Sequence, residues 1–322
     1  MKLSCFLLLA FVSSSFAVDL AALRKAAEAS AAAHQVEAVF DQPYAGNDNR
    51  KQRVDLYLPK QPKSDQPLPV IAYLHGGGWL NGDRIGGFAG SIRYAQTGEY
   101  AAVSIGYRLT GEAHWPAQIF DCKAAIRWIR GHAKEYHLDP TKIAITGNSA
   151  GGHLASLLGT SGDVKELEGD LGPWTNESSR VTCVVNLCGP EDLTKALAFD
   201  KKGGPIVNDG AVVGLLGGTY VEKSAGAVAA SPLTYVSSDD PPFLNAQGTE
   251  DKRVSYTNAE AIHAALLKAG VSLLLIPITG GGHGSVSNKE IQHRVEQFLA
   301  LHLRGVPAEI STEPIPAEEP KK

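Results

Sequence analysis

Short apolar runs alternate with longer amphipathic segments through most of this chain. Seven of the runs are predicted to be strands, at residues 54–58, 70–74, 101–105, 143–146, 181–187, 243–246 and 273–276. Four longer segments are predicted to be helices, at residues 118–136, 150–158, 256–269 and 289–303. Strands that are apolar throughout and separated by helices are typical of a parallel sheet buried on both faces. The pattern predicts an α/β protein with a mostly parallel central sheet flanked by helices on both faces.

The two ends of the chain depart from this alternation. Lys2, the apolar run 3–12 and the small residues up to Ala17 are typical of a cleaved signal peptide at 1–17, which predicts a secreted or periplasmic protein. The run is too short to span a bilayer. An alanine-rich stretch predicts an N-terminal helical segment at 18–40. The tail 306–322 has four prolines and four glutamates, and it is predicted to be disordered.

The region between these ends, residues 41–305, is predicted to form one catalytic domain. Within it, residues 190–230 contain seven glycines and no clear period, which indicates a small cap-like insertion over the sheet edge. The net charge is −4 and basic runs are absent, so a nucleic-acid partner is not expected. No segment has the length of a membrane span. The oligomeric state does not follow from these features.

Three cysteines remain after the predicted cleavage, namely Cys122, Cys183 and Cys188. Cys183 and Cys188 lie in or next to one predicted strand and point to opposite faces, too far apart for a disulfide. Cys122 can pair with either of them, or all three can be buried thiols. The second interpretation is favoured, because free cysteine packs as a small hydrophobic residue.

The sequence Gly-Asn-Ser-Ala-Gly-Gly at 147–152 follows a predicted strand and precedes a predicted helix. A serine on such a sharp turn needs glycine two residues before it and two residues after it, and its hydroxyl is exposed above the carboxyl edge of the sheet. The chain contains 34 glycines, so the bare motif is weak evidence and the strand–turn–helix context carries the prediction. We predict that Ser149 is a catalytic nucleophile.

A second glycine-rich motif, His-Gly-Gly-Gly-Trp at 75–79, directly follows the strand at 70–74. Consecutive glycines leave backbone N–H groups accessible to a negatively charged oxygen. We predict that the amides of Gly77, Gly78 and Ala150 form an oxyanion hole. His75 is interpreted as a residue that organises this loop.

A serine nucleophile needs a general base and a group that orients the base. His283 lies in a glycine-rich loop after the strand at 273–276, and Asp251 follows the strand at 243–246. Both loops are expected at the sheet edge that carries Ser149, which predicts the triad Ser149, Asp251 and His283. Glu250 and Asp192 are the alternatives for the acid. His153 is expected to pack or to face solvent.

With these motifs, the chain resembles α/β-hydrolase esterases of the hormone-sensitive-lipase-like and bacterial feruloyl-esterase-like (BD-FAE-type) groups. The resemblance extends over about residues 50–303 and includes a block of Tyr-Arg-Leu at 107–109, Pro-Ala at 116–117, Asp121 and Arg-Trp at 127–128. It implies an α/β-hydrolase fold and an ion pair between Arg108 and Asp121. The sequence departs from the family pattern at Asn148 and at Asn-Ala-Gln 245–247, which leaves the subfamily open.

The resemblance also implies hydrolysis of carboxylic esters through an acyl-enzyme, with no metal and no organic cofactor. The expected substrate is a small-molecule or polysaccharide ester, such as a short-acyl or aryl ester or an acetyl or feruloyl ester on plant polysaccharide. An arylformamidase-like amidase is the alternative enzyme. A non-catalytic binding protein on the same scaffold is the third interpretation, and it predicts an incomplete triad.

Overall fold

The computed structural model describes residues 20–162, 164–200 and 202–317. Its strands are β1 (Val36–Pro43), β2 (Arg53–Pro59), β3 (Leu68–Leu74), β4 (Ala101–Ile105), β5 (Leu138–Asn148), β6 (Cys183–Leu187), β7 (Phe243–Gly248), β8 (Leu273–Thr279) and β9 (Ile315–Pro316). Its helices are α1 (Leu20–Ala33), α2 (Phe88–Ala95), α3 (Ala117–Gly131), α4 (Ala150–Thr160), α5 (Gly210–Leu216), α6 (Ser224–Ala229), α7 (Thr257–Ala269) and α8 (Lys289–Arg304).

The strands form one sheet in the order β1-β2-β4-β3-β5-β6-β7-β8-β9. The pairs β1–β2 and β2–β4 are antiparallel, and the pairs from β4 through β9 are parallel. The carboxyl ends of β3, β5, β6, β7 and β8 therefore meet at one edge, where α/β proteins bind their ligands. The α/β fold with a mostly parallel sheet is confirmed.

Helices cover both faces of this sheet. On one face, α3, α4 and α7 pack against β3, β5 and β6 in the largest hydrophobic cluster. All residues of α4 are buried, which fixes the helix that follows Ser149. On the other face, α8 contributes Ile291, Val295 and Phe298 to a second cluster, and α2 lies beside it with Ile92 and Ala95 buried. Apolar side chains on both faces explain why the central strands are continuously hydrophobic.

The prediction of a helical segment over 18–40 is wrong beyond Ala33. The alanine-rich helix α1 ends there, and β1 follows at Val36 and pairs with β2. Helix α3 ends at Gly131 rather than at residue 136. The predicted signal peptide at 1–17 lies outside the described residues.

The prediction of a disordered tail over 306–322 is also wrong as far as residue 317. Ile315 pairs with Ile278 in β8 and is only 5% exposed. Arg294 of α8 donates hydrogen bonds from Nη1 to the carbonyl oxygens of Ser311 and Glu313, at 2.8 Å each. One buried isoleucine and one buried arginine therefore order a segment whose composition suggests disorder. Residues 318–322 lie outside the described residues.

Other expectations are confirmed in detail. Cys122, Cys183 and Cys188 are buried free thiols. Arg108 forms an ion pair with the buried Asp121, with 2.8 Å between Nη2 and Oδ1. Burial raises the pKa of Asp121 despite this partner. None of the helices in the described ranges has both the length and the apolarity needed to cross a bilayer.

Candidate active site

Ser149 occupies the turn between β5 and α4. Its backbone has φ 52° and ψ −122°, a conformation that non-glycine residues rarely adopt. The turn is tight enough that a Cβ atom at Gly151 would lie 2.1 Å from the carbonyl oxygen of Leu74. Glycine is therefore required at 151, and the Ser149 hydroxyl is held at the carboxyl edge of the sheet.

His283 contacts the serine hydroxyl from the loop after β8. The distance between His283 Nε2 and Ser149 Oγ is 2.9 Å, which is within hydrogen-bond range. His283 lies 134 residues along the chain from Ser149, so this contact depends on the parallel placement of β5 and β8. The imidazole is in position to accept the proton of the serine.

Asp251 binds the other side of the imidazole. His283 Nδ1 donates to Asp251 Oδ2 at 2.7 Å. Asp251 Oδ1 accepts hydrogen bonds from the backbone N–H groups of Arg253 and Val254 at 2.8 and 3.0 Å. The carboxylate is buried, and these bonds fix its orientation. In the neutral imidazole, this arrangement keeps the proton on Nδ1 and leaves Nε2 free to accept the proton of Ser149.

The alternative acids lie elsewhere. Asp192 accepts a hydrogen bond from the Thr194 backbone N–H and forms an ion pair with Lys195 at 3.0 Å. Glu250 is exposed to solvent. Of the three carboxylates weighed from the sequence, the structure joins Asp251 to His283.

Opposing influences act on the pKa of His283. Partial burial lowers it, whereas the hydrogen bond to Asp251 and the interactions with Cys188 raise it, and the net pKa is about 10. Cys188 Sγ donates to the His283 carbonyl oxygen at 3.3 Å. The position of Cys188 beside His283 depends on the long-range packing of β6 against the histidine loop, so no local pattern in the sequence indicates a role for this cysteine at the site.

A pocket of about 60 Å³ opens beside the serine and the histidine. Gly78 and Ala150 border it, together with residues from the predicted cap, namely Pro190, Leu197, Asp209 and Ala211. Ala150 is the first residue of α4, so its N–H group has no acceptor within the helix. Gly78 has φ +62°, and a Cβ there would lie 3.1 Å from the Ala211 Cβ. The cap helix α5 therefore lies directly over the glycine-rich loop.

Gly77 has a different environment from Gly78. It does not line the pocket, and its φ is +117°. A Cβ at this position would lie 2.2 Å from the Asn81 carbonyl oxygen. The Gly77 carbonyl oxygen accepts hydrogen bonds from the N–H groups of Leu80 and Asn81. Gly77 thus shapes the turn that presents Gly78.

The two histidines near the site have structural contacts. His75 is buried, and its ring stacks on Tyr107 with 4.3 Å between centroids. Burial lowers the pKa of His75 to about 4. His153 is fully buried, accepts a hydrogen bond from Trp79 Nε1 at 3.2 Å and donates to the Ala230 carbonyl oxygen at 2.7 Å. His153 therefore connects the glycine-rich loop to the end of the cap, a role that sequence spacing did not reveal.

One group of potential metal ligands occurs among the described residues. Cys188, Asp251 and His283 each offer a ligand atom, and these atoms lie within 4.8 Å of one another. Asp251 and Ser149 hydrogen-bond the two nitrogens of the His283 ring, and Cys188 Sγ donates to the His283 backbone carbonyl oxygen. The geometry therefore describes a proton-transfer chain that ends at the Ser149 hydroxyl.

The chain was compared with known proteins. The family model described as BD-FAE matches residues 54–266, which is more than half of the chain. The chain belongs to the BD-FAE family. The match includes the glycine-rich loop, Ser149 and Asp251, whereas His283 lies beyond it.

Proteins similar to this BD-FAE family member are named as esterases. Esterase LipQ of Mycobacterium tuberculosis is 30% identical over 268 residues, which are 81% of this chain and 62% of LipQ. The first three named relatives are covered over 58–62% of their length, so the chain spans about three fifths of these relatives.

Two solved structures share the fold over 83% of this chain. A bifunctional GH43-CE protein of Bacteroides eggerthii is 32% identical, with a TM-score of 0.75 over 83% of this chain and 35% of that chain. A truncated carbohydrate esterase from gut microbiota is 27% identical, with a TM-score of 0.73 over 83% of this chain and 96% of that chain.

Proposed function

We propose that this protein is a serine carboxylesterase that works through an acyl-enzyme. The observation that carries this proposal is the chain of hydrogen bonds from Asp251 through His283 to Ser149, at 2.7 and 2.9 Å, which ends in a pocket bordered by Gly78 and Ala150. Membership of the BD-FAE family and the named esterase relatives support the same reaction class.

In the first half of the reaction, His283 Nε2 accepts the proton of Ser149, and Oγ attacks the ester carbonyl carbon. The N–H groups of Gly78 and Ala150 stabilise the negative charge on the carbonyl oxygen, and Gly77 holds the turn that presents Gly78. His283 then returns the proton to the departing alcohol, and the acyl group stays on Ser149. In the second half, His283 takes a proton from water as its oxygen attacks the acyl carbon. His283 then returns that proton to Ser149 Oγ as the bond between Oγ and the acyl carbon breaks and the acid leaves.

We propose that the acyl group is short, such as acetyl, and that the alcohol belongs to a small ester or to a plant polysaccharide. The pocket beside Ser149 measures about 60 Å³, the space of a few heavy atoms, which favours a short acyl chain. The two solved relatives described as a GH43-CE protein and a carbohydrate esterase support a carbohydrate ester. A feruloyl group requires the cap residues Leu197 and Ala211 to move away from the serine.

A panel of substrates tests both the reaction and the acyl size. We expect kcat/KM to fall as the acyl chain of an aryl ester grows from acetyl upward, with measurable activity on acetyl-xylan and less on methyl ferulate. An aryl formamide should be a poor substrate. Faster cleavage of the formamide than of every ester would contradict the esterase proposal and favour an amidase.

The nucleophile is tested separately. Ser149→Ala should abolish labelling by a fluorophosphonate and lower ester turnover by at least about 10³-fold. Ser224→Ala, at the exposed start of α6, is the matched control and should keep full activity. EDTA should leave the activity unchanged. Loss of activity on chelation, restored by zinc, would instead favour a metal at Cys188, Asp251 and His283.

We also propose that the protein is exported and cleaved after Ala17. The support is the order of Lys2, the apolar run 3–12 and the small residues that follow. Mass spectrometry of the protein recovered outside the cytoplasm should give a chain that begins at Val18. Recovery of the intact N-terminus from the cytoplasm alone would overturn this proposal.

A further inference from the structure

A second cavity, of about 370 Å³, lies on the sheet face opposite to α4. One wall is α2, through Gly90, Ser91 and Tyr94, and the facing wall is α8, through Ile291 and Val295. Among the residues that the structure describes, none lines both this cavity and the pocket beside the catalytic serine. Its volume is in the range of small-molecule sites, and most of its lining is apolar.

The Ser91 side chain lines this cavity without a partner. Ser91 is 4% exposed, and its Oγ atom forms no hydrogen bond within the described part of the chain. A buried hydroxyl without a partner costs about 1–3 kcal/mol, so such groups in native proteins usually have an unseen partner. The Ser91 hydroxyl is therefore a candidate donor for a ligand in the cavity.

Arg93 brings a guanidinium group to the wall of the cavity. Its Nε atom forms no hydrogen bond within the described residues but makes an ion pair with Glu296 Oε1 at 3.6 Å, and its Nη2 atom donates to the Tyr94 hydroxyl at 3.4 Å. Within the described part of the chain, Arg93 lines the cavity as its one charged residue, whereas its partner Glu296 does not line it. A hydroxyl and a guanidinium N–H are both donors, so together they favour an acceptor group with negative charge.

The floor of the cavity is the back of the nucleophile turn. Asn148, directly before Ser149, lines the cavity, and its Oδ1 atom accepts a hydrogen bond from Tyr73 at 2.8 Å. Ser287 lines it from the loop that follows His283. A ligand here would contact the segments that carry two of the proposed catalytic residues, but from the other face of the sheet.

We propose that this cavity binds a small monocarboxylate with an apolar body, whose carboxylate accepts hydrogen bonds from Ser91 and Arg93. The apolar part of the ligand packs between Tyr94 of α2 and Ile291 and Val295 of α8. This site is separate from the pocket at Ser149, and its occupancy does not depend on the proposed esterase reaction.

The glycine at position 90 allows the cavity to be filled without strain. A Cβ at Gly90 meets no heavy atom within 4 Å, and the residue lies in α2 outside the positive-φ glycines. Gly90→Leu should therefore keep the fold and place its side chain in the ligand's space, and leucine also has the higher helix propensity. Ala89→Leu adds similar bulk at the neighbouring exposed position, which does not line the cavity, and is the matched control.

The probe is 3-phenylpropanoate, with 3-phenylpropanamide as its neutral counterpart, titrated by ligand-observed NMR into the full chain. The protein is used both untreated and with Ser149 capped by a fluorophosphonate, which blocks the catalytic pocket. We expect saturable binding of the carboxylate in both forms and weaker binding of the amide. Gly90→Leu should abolish binding, Ala89→Leu should preserve it, and Ser91→Ala and Arg93→Gln should each raise Kd about tenfold.

Several results would overturn the proposal. One is the absence of saturable binding. Another is binding that disappears when Ser149 is capped, because that places the probe in the catalytic pocket. A third is equal affinity for 3-phenylpropanoate and 3-phenylpropanamide, because it would mean that Ser91 and Arg93 do not recognise the carboxylate. Unchanged binding in Gly90→Leu, with a melting temperature that shows the variant is folded, would place the probe elsewhere.

Discussion

His283 combines a partly buried imidazole with a buried carboxylate on one side and a serine hydroxyl on the other. Burial alone would lower the pKa of His283, but Asp251 and Cys188 outweigh it and raise the pKa to about 10. Only the neutral imidazole accepts the proton of Ser149. The rate must therefore increase as the pH rises through the pKa of His283, and the raised pKa places this increase above the usual histidine range.

The first prediction follows from the raised pKa of His283. The pH profile of kcat/KM should be a single ascending limb with an apparent pKa above the usual histidine value of about 6.5. Asp251→Asn should move the limb to lower pH, because the hydrogen bond to Asp251 is the largest influence that raises the pKa of His283. Glu250→Gln changes the neighbouring exposed carboxylate, and the limb of this control variant should stay in place. A limb that descends over the same interval would contradict the assignment of His283 as the base.

Glu191 is a second buried titratable residue, at the start of the cap. Its Oε1 atom accepts hydrogen bonds from Ser156, Asn186 and Asn245, at 3.0, 2.6 and 3.2 Å. Its Oε2 atom has no partner within the described residues. Burial raises the pKa of Glu191 from 4.5 to about 8. Between these two values the unfolded chain releases a proton that the folded chain keeps.

The second prediction is therefore a loss of stability as the pH rises. Glu191 should lower the free energy of unfolding by on the order of 1 kcal/mol per pH unit across that interval. Glu191→Gln cannot ionise, so urea unfolding of this variant should have a smaller pH slope than the original protein. Glu250→Gln, at an exposed carboxylate, should leave the slope unchanged. Equal slopes for the Glu191→Gln variant and the original protein would mean that Glu191 is ionised in the folded state.

Among the elements, the loop after β3 and the cap helix α5 act together. The loop presents the Gly78 N–H group to the pocket, and α5 lies over it through Ala211. The loop is also connected to the end of the cap, because Trp79 and the Ala230 carbonyl oxygen bind the two nitrogens of His153. A displacement of the loop therefore changes the position of a proposed oxyanion donor.

The third prediction concerns this loop. Gly78→Ala should lower kcat by about 10²-fold, because φ +62° disfavours alanine and the new methyl group would approach Ala211. The melting temperature should change little, since the loop is short. Gly111→Ala is the control, because a Cβ there meets nothing within 4 Å. An unchanged kcat in Gly78→Ala would mean that Gly78 lines the pocket without stabilising charge.

Elements with a strong local pattern were predictable from the sequence, and elements defined by distant partners were not. The central strands are apolar throughout, so each predicted strand overlaps an observed one. β1 was missed because its residues are mostly half-buried at the sheet edge and directly follow an alanine-rich helix. α2 was missed because it is short and contains glycine, and β9 consists of two residues.

The candidate site likewise contains residues that local sequence patterns predict and contacts that they do not predict. Ser149, Gly78 and His283 lie in glycine-rich turns, and the chemistry of such turns can be recognised locally. The contacts of Cys188 with His283 and of His153 with Ala230 join residues 95 and 77 positions apart. No local spacing encodes these contacts, and they emerge only when β6, the cap and the histidine loop are packed together.

In the whole molecule, the two edge strands of the sheet are β1 and β9, which come from opposite ends of the described chain. At one edge, β1 pairs antiparallel with β2 and is covered by α1. At the other edge, β9 pairs with β8, and the Ala317 N–H donates to the Thr279 carbonyl oxygen at 3.0 Å. Unpaired edges expose strand N–H and C=O groups and favour aggregation. β8 also leads into the loop of His283, so the tail supports the strand that positions the proposed base.

The last prediction tests whether the tail contributes to stability. Ile315 is 5% exposed and packs in the same cluster as Ile278 and Ile291. Ile315→Ala should lower the free energy of unfolding by about 2–3 kcal/mol, the lower part of the range for such substitutions, because the site lies at the rim of the core. Val306→Ala, at a residue 40% exposed, should cost much less. Urea unfolding gives both values.

If Ile315→Ala and Val306→Ala lower the free energy of unfolding equally, the packing of β9 contributes nothing and the sheet effectively ends at β8. If Ile315→Ala is destabilised while kcat/KM at low temperature is unchanged, the tail stabilises β8 without directing His283.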